Sequence, residues 1–178
     1  MEEFYESIRL LSYGLFLLCS KKGNKFNGLI VNTVFQVTSK PQMVAVSICK
    51  DNLTHDYIMD SKVFTASILE QDTPMKFIGR FGFHTGKDYD KFKDPLNYEI
   101  FITGAPIIMD NSLGYLESVV KDWVDCGTHT LFVGKVVGGA VTKIGEPLTY
   151  AYYHNVKKGK APKNAPTYFG FPELVKSE

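Results

Sequence analysis

The chain has 178 residues, 44% of them hydrophobic and 22% charged, and a net charge of +1. This length suits one domain with a sizeable core, and so small a net charge excludes a strong electrostatic pull toward nucleic acid or anionic membrane. The positive charge is nearly all lysine, with Arg9 and Arg80 as the arginines, and nucleic-acid recognition leans on arginine forks.

Cys19, Cys49 and Cys126 are scattered and odd in number. They suit neither a disulfide framework nor a cysteine zinc site, and they fit a reducing cytoplasm. The acidic start, MEEFYESIRLL, lacks the basic opening of a signal peptide. No apolar run approaches the roughly 20 residues that cross a bilayer.

In chain order, Glu2 to Leu11 carries Phe4, Ile8 and Leu11 at the spacing of a short amphipathic helix. Tyr13 to Ser20 reads as a buried strand. Lys21 to Lys25 is a Gly/Asn turn that closes a hairpin between the first two strands. The next stretch, Phe26 to Pro41 (FNGLIVNTVFQVTSKP), is expected as the second strand. Leu29, Ile30, Val31, Val34, Phe35 and Val37 favour extended structure, and Asn27, Asn32, Thr33, Gln36, Thr38 and Ser39 interrupt them. A buried polar group without a partner costs about 1–3 kcal/mol. These amides and hydroxyls therefore face either water on the open side of an antiparallel strand or a ligand.

Met43 to Cys49 is a third strand. Asn52 to Met59 reads as a helix with Asn52 or Thr54 at its start. Its free N–H groups lie near Lys50 and His55, which makes either a plain capped helix or an anion site. Val63 to Leu69 is a strand and Met75 to Phe81 a short helix. The Gly79 to Gly86 loop, GRFGFHTG, matches neither a Walker loop nor a dinucleotide fingerprint. Asp88 to Pro95 is a polar connection. Strands are expected over Tyr98 to Gly104, Pro106 to Met109, Leu113 to Asp125 and Thr128 to Val137, with Gly134 as a bulge. Val141 to Glu146 would continue the sheet. Leu148 to His154 is short and tyrosine-rich. Asn155 to Glu178 reads as an extended basic arm. With no repeat and no linker, residues 1–178 form one mainly β domain with a few short helices.

His55, His84, His129 and His154 show no metal-ligand spacing. There is no GxSxG elbow, Cys126 and His129 do not by themselves make a dyad, and no carboxylate pair stands out, so no catalytic residue is assigned. What remains is the polar strand, the Lys50 corner and the Phe/Gly loop. If the second and third strands are adjacent, these converge on a planar ligand with a phosphate.

The succession G-L-I-V-N-T-V-F-Q-V-T-S-K-P, V-S-I-C-K-D-N-L-T-H, F-G-F and D-C-G-T-H-T-L-F-V-G-K-V resembles the flavin reductase-like FMN-binding family over nearly the whole chain. The terminal Y-Y-H-N-V-K-K-G-K-A-P-K-N-A-P-T-Y is similar to the subgroup of high-molecular-weight rubredoxin flavin domains, NAD(P)H:flavin oxidoreductases and flavoredoxins. The resemblance implies a split β-barrel of Greek-key type. It also implies a homodimer, FMN bound without covalent attachment near the subunit interface, and NAD(P)H as substrate. By position, Asn32, Thr33, Gln36, Val37 and Thr38 would border the ring and ribityl chain. Ser47, Ile48, Cys49 and Lys50 would line the ribityl and phosphate side. Asn52, Thr54 and His55 would close on the phosphate, and Phe81, Gly82, Phe83 and Lys87 would come from the loop. His129 matches the Gly-x-His position, with no role assigned. The last residues carry no CxxC pair, so a rubredoxin acceptor is expected to be a separate protein. Free flavin and a ferric complex are the other expected acceptors. Two further readings stand beside this one: an electron-transfer flavoprotein that does not use NAD(P)H, and a noncatalytic module on the same barrel. The basic arm either wraps a partner subunit, steers an acidic redox protein, or is solvated.

Overall fold

The structure, a computed structural model, describes residues 7–8 and 10–168. The expected helix from Glu2 and the arm beyond Tyr168 fall largely outside them. In order come β1 (Phe16–Lys22), β2 (Lys25–Val31), β3 (Phe35–Ser39), β4 (Gln42–Cys49), α1 (Leu53–Ser61), β5 (Val63–Leu69), α2 (Met75–Gly82), β6 (Tyr98–Ile100), β7 (Pro106–Ile108), β8 (Ser112–Cys126), β9 (His129–Val141) and α3 (Tyr150–Asn155). Seven strands form one antiparallel sheet in the order β2-β1-β5-β8-β9-β4-β3, and β6 pairs with β7 alone.

That order forces curvature. β2 and β3 lie at opposite ends of the sheet, yet only Asn32, Thr33 and Val34 join them. The step from Val31 to Phe35 spans at most about 14 Å of chain. A flat sheet of this size would hold its edges about 29 Å apart. The sheet therefore curls on itself.

Strand alternation then sorts side chains into two cores. Leu18, Leu29, Val31, Val44, Val46, Ile48, Phe64, Val120 and Phe132 point inward and meet Ile58 of α1. Leu15, Leu17, Cys19 and Leu69 face the other way and pack with Ile78 and Phe81 of α2, Ile108, Leu148 and Tyr153 of α3. Helices α2 and α3 thus cover the outer face of β1 and β2.

Several expectations need correcting. Phe26 to Pro41 is two strands rather than one, because the Asn32–Val34 corner turns the chain across the barrel end. The expected second and third strands do pair, but through β3 and β4; β2 itself lies beside β1. Gly134 is in regular register with Val44, and the irregularities of the β8–β9 pair fall at Glu117/Ser118 and Val120/Asp122. Tyr98 to Gly104 is a strand only as far as Ile100, the sheet stops at Val141, and the tyrosine-rich stretch forms α3. There the Thr149 hydroxyl accepts from Tyr152 N at 3.1 Å, a side-chain cap.

Candidate functional site

A cavity of about 320 Å³ opens where β2, β4, α2, α3 and the chain after α3 meet. Leu15, Leu29, Val31, Ile48, Ile78 and Phe81 give it an apolar floor. Asn32, Ser47, Asn52 and Asn164 bring amides and a hydroxyl. Lys91, Lys160 and Lys163 bring positive charge, and no carboxylate lies among the described lining residues. The volume is at the lower end of ligand pockets, about 300–1,000 Å³.

Of the residues expected at a site, Asn32, Ser47, Ile48, Cys49, Asn52, Phe81, Gly82 and Phe83 line this cavity. Asn52 is the N-cap position of α1 but makes no side-chain cap bond, so its amide is not spent on the helix. The Asn32 amide is buried and donates from Nδ2 to Thr167 Oγ1 at 3.0 Å.

The other expected residues lie elsewhere. The Thr33 hydroxyl donates to Ser47 O at 3.1 Å and accepts from Ser47 N at 3.3 Å, tying the barrel corner to β4. Gln36 lines a second, mostly apolar depression with Phe16, Val34 and Met43. Val37 is exposed at the β3 irregularity, and Thr38 Oγ1 accepts from Lys40 N. Lys50 Nζ donates to Asp125 Oδ1 at 2.7 Å. That ammonium, with Gly127 N–H, holds the Asp125 carboxyl below the usual carboxylate range. Thr54 is fully buried and accepts from Asn27 Nδ2 at 2.8 Å, and His55 Nε2 lies 2.9 Å from Thr130 Oγ1. Both thus brace α1 against the barrel. Lys87 is exposed, and its backbone N–H donates to Thr85 Oγ1. His129 Nε2 is buried with no hydrogen-bond partner among the described residues, while Nδ1 sits 2.9 Å from Thr128 Oγ1.

Sequence reasoning missed Lys91, His84, Thr85, the two α3 tyrosines and the Lys160–Pro166 wall. Lys91 matters most. It is only 4% exposed. Its ammonium donates to Gly28 O at 2.8 Å and Phe81 O at 3.0 Å, joining β2 to the end of α2. Burial holds it down at about 8 from an ordinary 10.5, against a smaller upward pull from Cys19. Burial pushes the Cys19 thiol up, so the thiol stays neutral beside it. Two of the three ammonium hydrogens are engaged, which leaves one for a ligand. Arg80 clamps the loop carrying Lys91, donating to Lys91 O at 2.8 Å and Asp94 O at 3.0 Å.

Residues 8–159 match the flavin reductase like domain. The chain belongs to the flavin reductase-like family. It is 47% identical over 163 residues to a high molecular weight rubredoxin of Moorella thermoacetica, covering 92% of this chain and 71% of that protein. It is 45% identical over 169 residues to a ferric-chelate reductase (NAD(P)H) of Archaeoglobus fulgidus, covering 95% and 97%. Among solved structures, an FMN-binding protein from Thermus thermophilus superposes with a TM-score of 0.68 at 22% identity, covering 74% of this chain and 72% of that one. The curled seven-stranded sheet is thus the split barrel of flavin reductases, and the chain is a flavin reductase-like oxidoreductase. Among the described residues, no helix of this family member is long and apolar enough to cross a membrane.

Proposed function

We propose that this chain binds FMN without covalent attachment in the cavity between β2, β4 and α2, and uses NAD(P)H to reduce an acceptor. The observation that carries this reading is a cavity with an apolar floor and three lysines but no carboxylate among its described lining residues. Such a donor set suits a flat ring bearing a phosphate. FMN, when bound, supplies the chemistry that takes a hydride from a reduced nicotinamide and releases electrons to an acceptor. The chain's own work is binding and orientation. Leu29, Ile48, Ile78 and Phe81 exclude water from the ring. Asn32, Ser47 and Asn52 offer hydrogen bonds to its polar edge and side chain. Lys91 is the anion partner, and half-exposed Phe83 forms the rim. The acceptor is a ferric complex or a rubredoxin-like protein, in line with the relatives' names, or free flavin.

Purified protein reconstituted with FMN should be yellow and should bleach within a turnover on anaerobic mixing with NADH or NADPH. No retained flavin would sink the cofactor reading. Retained flavin that neither nucleotide bleaches would leave an electron-transfer flavoprotein instead.

A homodimer belongs to the same proposal. The edge strand β3 exposes both faces, including Phe35 at 52% and Val37 at 49%. Trp123 and Val124 stand exposed on the β8–β9 hairpin. An open apolar edge of this kind is normally covered. Sedimentation should give twice the chain mass, and Val37→Lys with Val124→Lys should give one; a wild-type monomer overturns the dimer. The three free cysteines, one of them exposed, suit the reducing cytoplasm proposed for it.

A further inference from the structure

The chain does not leave the molecule after α3; it returns across the cavity. Lys160 to Pro166 form one of its walls, and anchors hold this segment at both ends. At the near end, Tyr153 donates its hydroxyl to Lys160 O at 3.0 Å, and Gly159 N donates to Tyr153 O at 2.9 Å. A Cβ on Gly159 would stand 2.1 Å from the Tyr153 ring, so the backbone lies flat against that ring. At the far end is Thr167, 9% exposed. Its Oγ1 accepts from Asn32 Nδ2 at 3.0 Å and lies 2.7 Å from the Tyr150 hydroxyl. A hydroxyl has one hydrogen and two lone pairs, so both bonds are satisfied together. Pro162 and Pro166 stiffen the span between the anchors, and Ala165 N and Tyr168 N close two tight turns within it.

We infer that residues 156–168 are a strap that shuts the flavin cavity, with Thr167 as its latch on Asn32 and Tyr150. This rests on the flavin reading above. The strap has two consequences. Flavin stays as a resident group and exchanges only when the strap lifts, so an acceptor meets the reduced ring in place. The latch also sets the Asn32 side chain: one Nδ2 hydrogen goes to Thr167, which fixes the plane of the amide and leaves Oδ1 and the second Nδ2 hydrogen for a ligand. Thr167 and Tyr150 are positioning residues.

The strap carries Lys158, Lys160 and Lys163, all exposed, and each precedes a residue other than proline, so trypsin reads its opening directly. In the flavin-free full-length protein, Thr167→Val should speed cleavage at these lysines about tenfold, the worth of a lost hydrogen bond. Thr167→Ser, which keeps the hydroxyl, should restore the wild-type rate and so separates the latch from misfolding. In FMN-loaded protein, strap cleavage should be suppressed. FMN release, followed by the return of free-flavin fluorescence, should quicken about tenfold in Thr167→Val. The double variant with Tyr150→Phe should be no faster, because both side chains act through one hydroxyl. Wild-type cleavage of flavin-free Thr167→Val overturns the latch. Wild-type FMN release in Thr167→Val overturns the strap's control of exchange. Failure of the wild-type protein to bind FMN strikes the flavin reading instead, and the flavin-free cleavage contrast still reports on the latch.

Discussion

Replacing Lys91 with Met should weaken FMN binding by about 10- to 100-fold, the worth of a hydrogen bond to a charged group. Methionine keeps much of the stem and removes the ammonium. Lys50→Ala serves as the control and should change affinity less than about twofold, because Lys50 is occupied by Asp125 outside the cavity wall. The pH dependence is sharper still. Lys91 titrates at about 8 in the folded chain against an ordinary 10.5. Between those values the unfolded chain binds more protons than the folded one, so stability of the flavin-free protein should rise with pH across that window. Below pH 8 the buried charge weighs fully on the fold. FMN affinity should move the opposite way, falling as pH climbs and the ammonium is lost. Fluorescence-quenching titrations and urea unfolding at pH 7 and 9.5 measure the two trends. Lys91→Met should flatten both. The same falling affinity in that variant would remove Lys91 from the site.

Phe64→Ala should cost about 3–5 kcal/mol in urea unfolding, the range for emptying a fully buried ring position. Phe64 is 0% exposed and sits in the inner core with Leu18, Val46 and Phe132. Its ring also explains Gly134. A Cβ there would come within 2.8 Å of Phe64 Cε1 and Cζ and 2.9 Å of Ser118 Cβ. Gly134→Ala should therefore overpack the barrel and cost about 1–3 kcal/mol. In a Phe64→Leu background much of that cost should vanish. If the two costs simply add, the ring is not what holds position 134 to glycine.

The regular strands were readable because burial alternates along them. β4 and β5 begin and end within a residue of where Met43–Cys49 and Val63–Leu69 place them. The Asn32–Val34 corner was hidden because it turns without Gly or Pro, and its apolar neighbours carry on past it. Helix α3 is six residues long, too short to show a helical period. Within the candidate site, Ser47, Ile48 and Cys49 of β4 and Phe81, Gly82 and Phe83 were named through the family resemblance, by position along the chain, and they line the cavity. Lys91 was not: nothing in KDYDKFKDP separates it from Lys87 or Lys93. What sets it apart is the pair of carbonyls it meets, Phe81 O from the preceding helix and Gly28 O from a strand 63 residues away. The strap was visible as an arm without period, but its docking depends on Asn32, 135 residues away from Thr167.

The three-residue corner between β2 and β3 also bears on how the chain acquires its shape. It is the hoop that brings the sheet's two ends together, and Asn32 within it is part of the cavity wall. The corner keeps those ends close from the start, but the closed sheet exists only once every strand between them has paired. β4 waits for β9, whose partner residues lie eighty or more positions away, as Val44 and Gly134 do. Such distant pairings make for slow assembly. The binding wall is therefore among the last features to mature, and a half-assembled barrel offers flavin nothing to hold. Flavin supplied during synthesis would trap finished molecules without guiding unfinished ones, drawing the population forward by mass action alone.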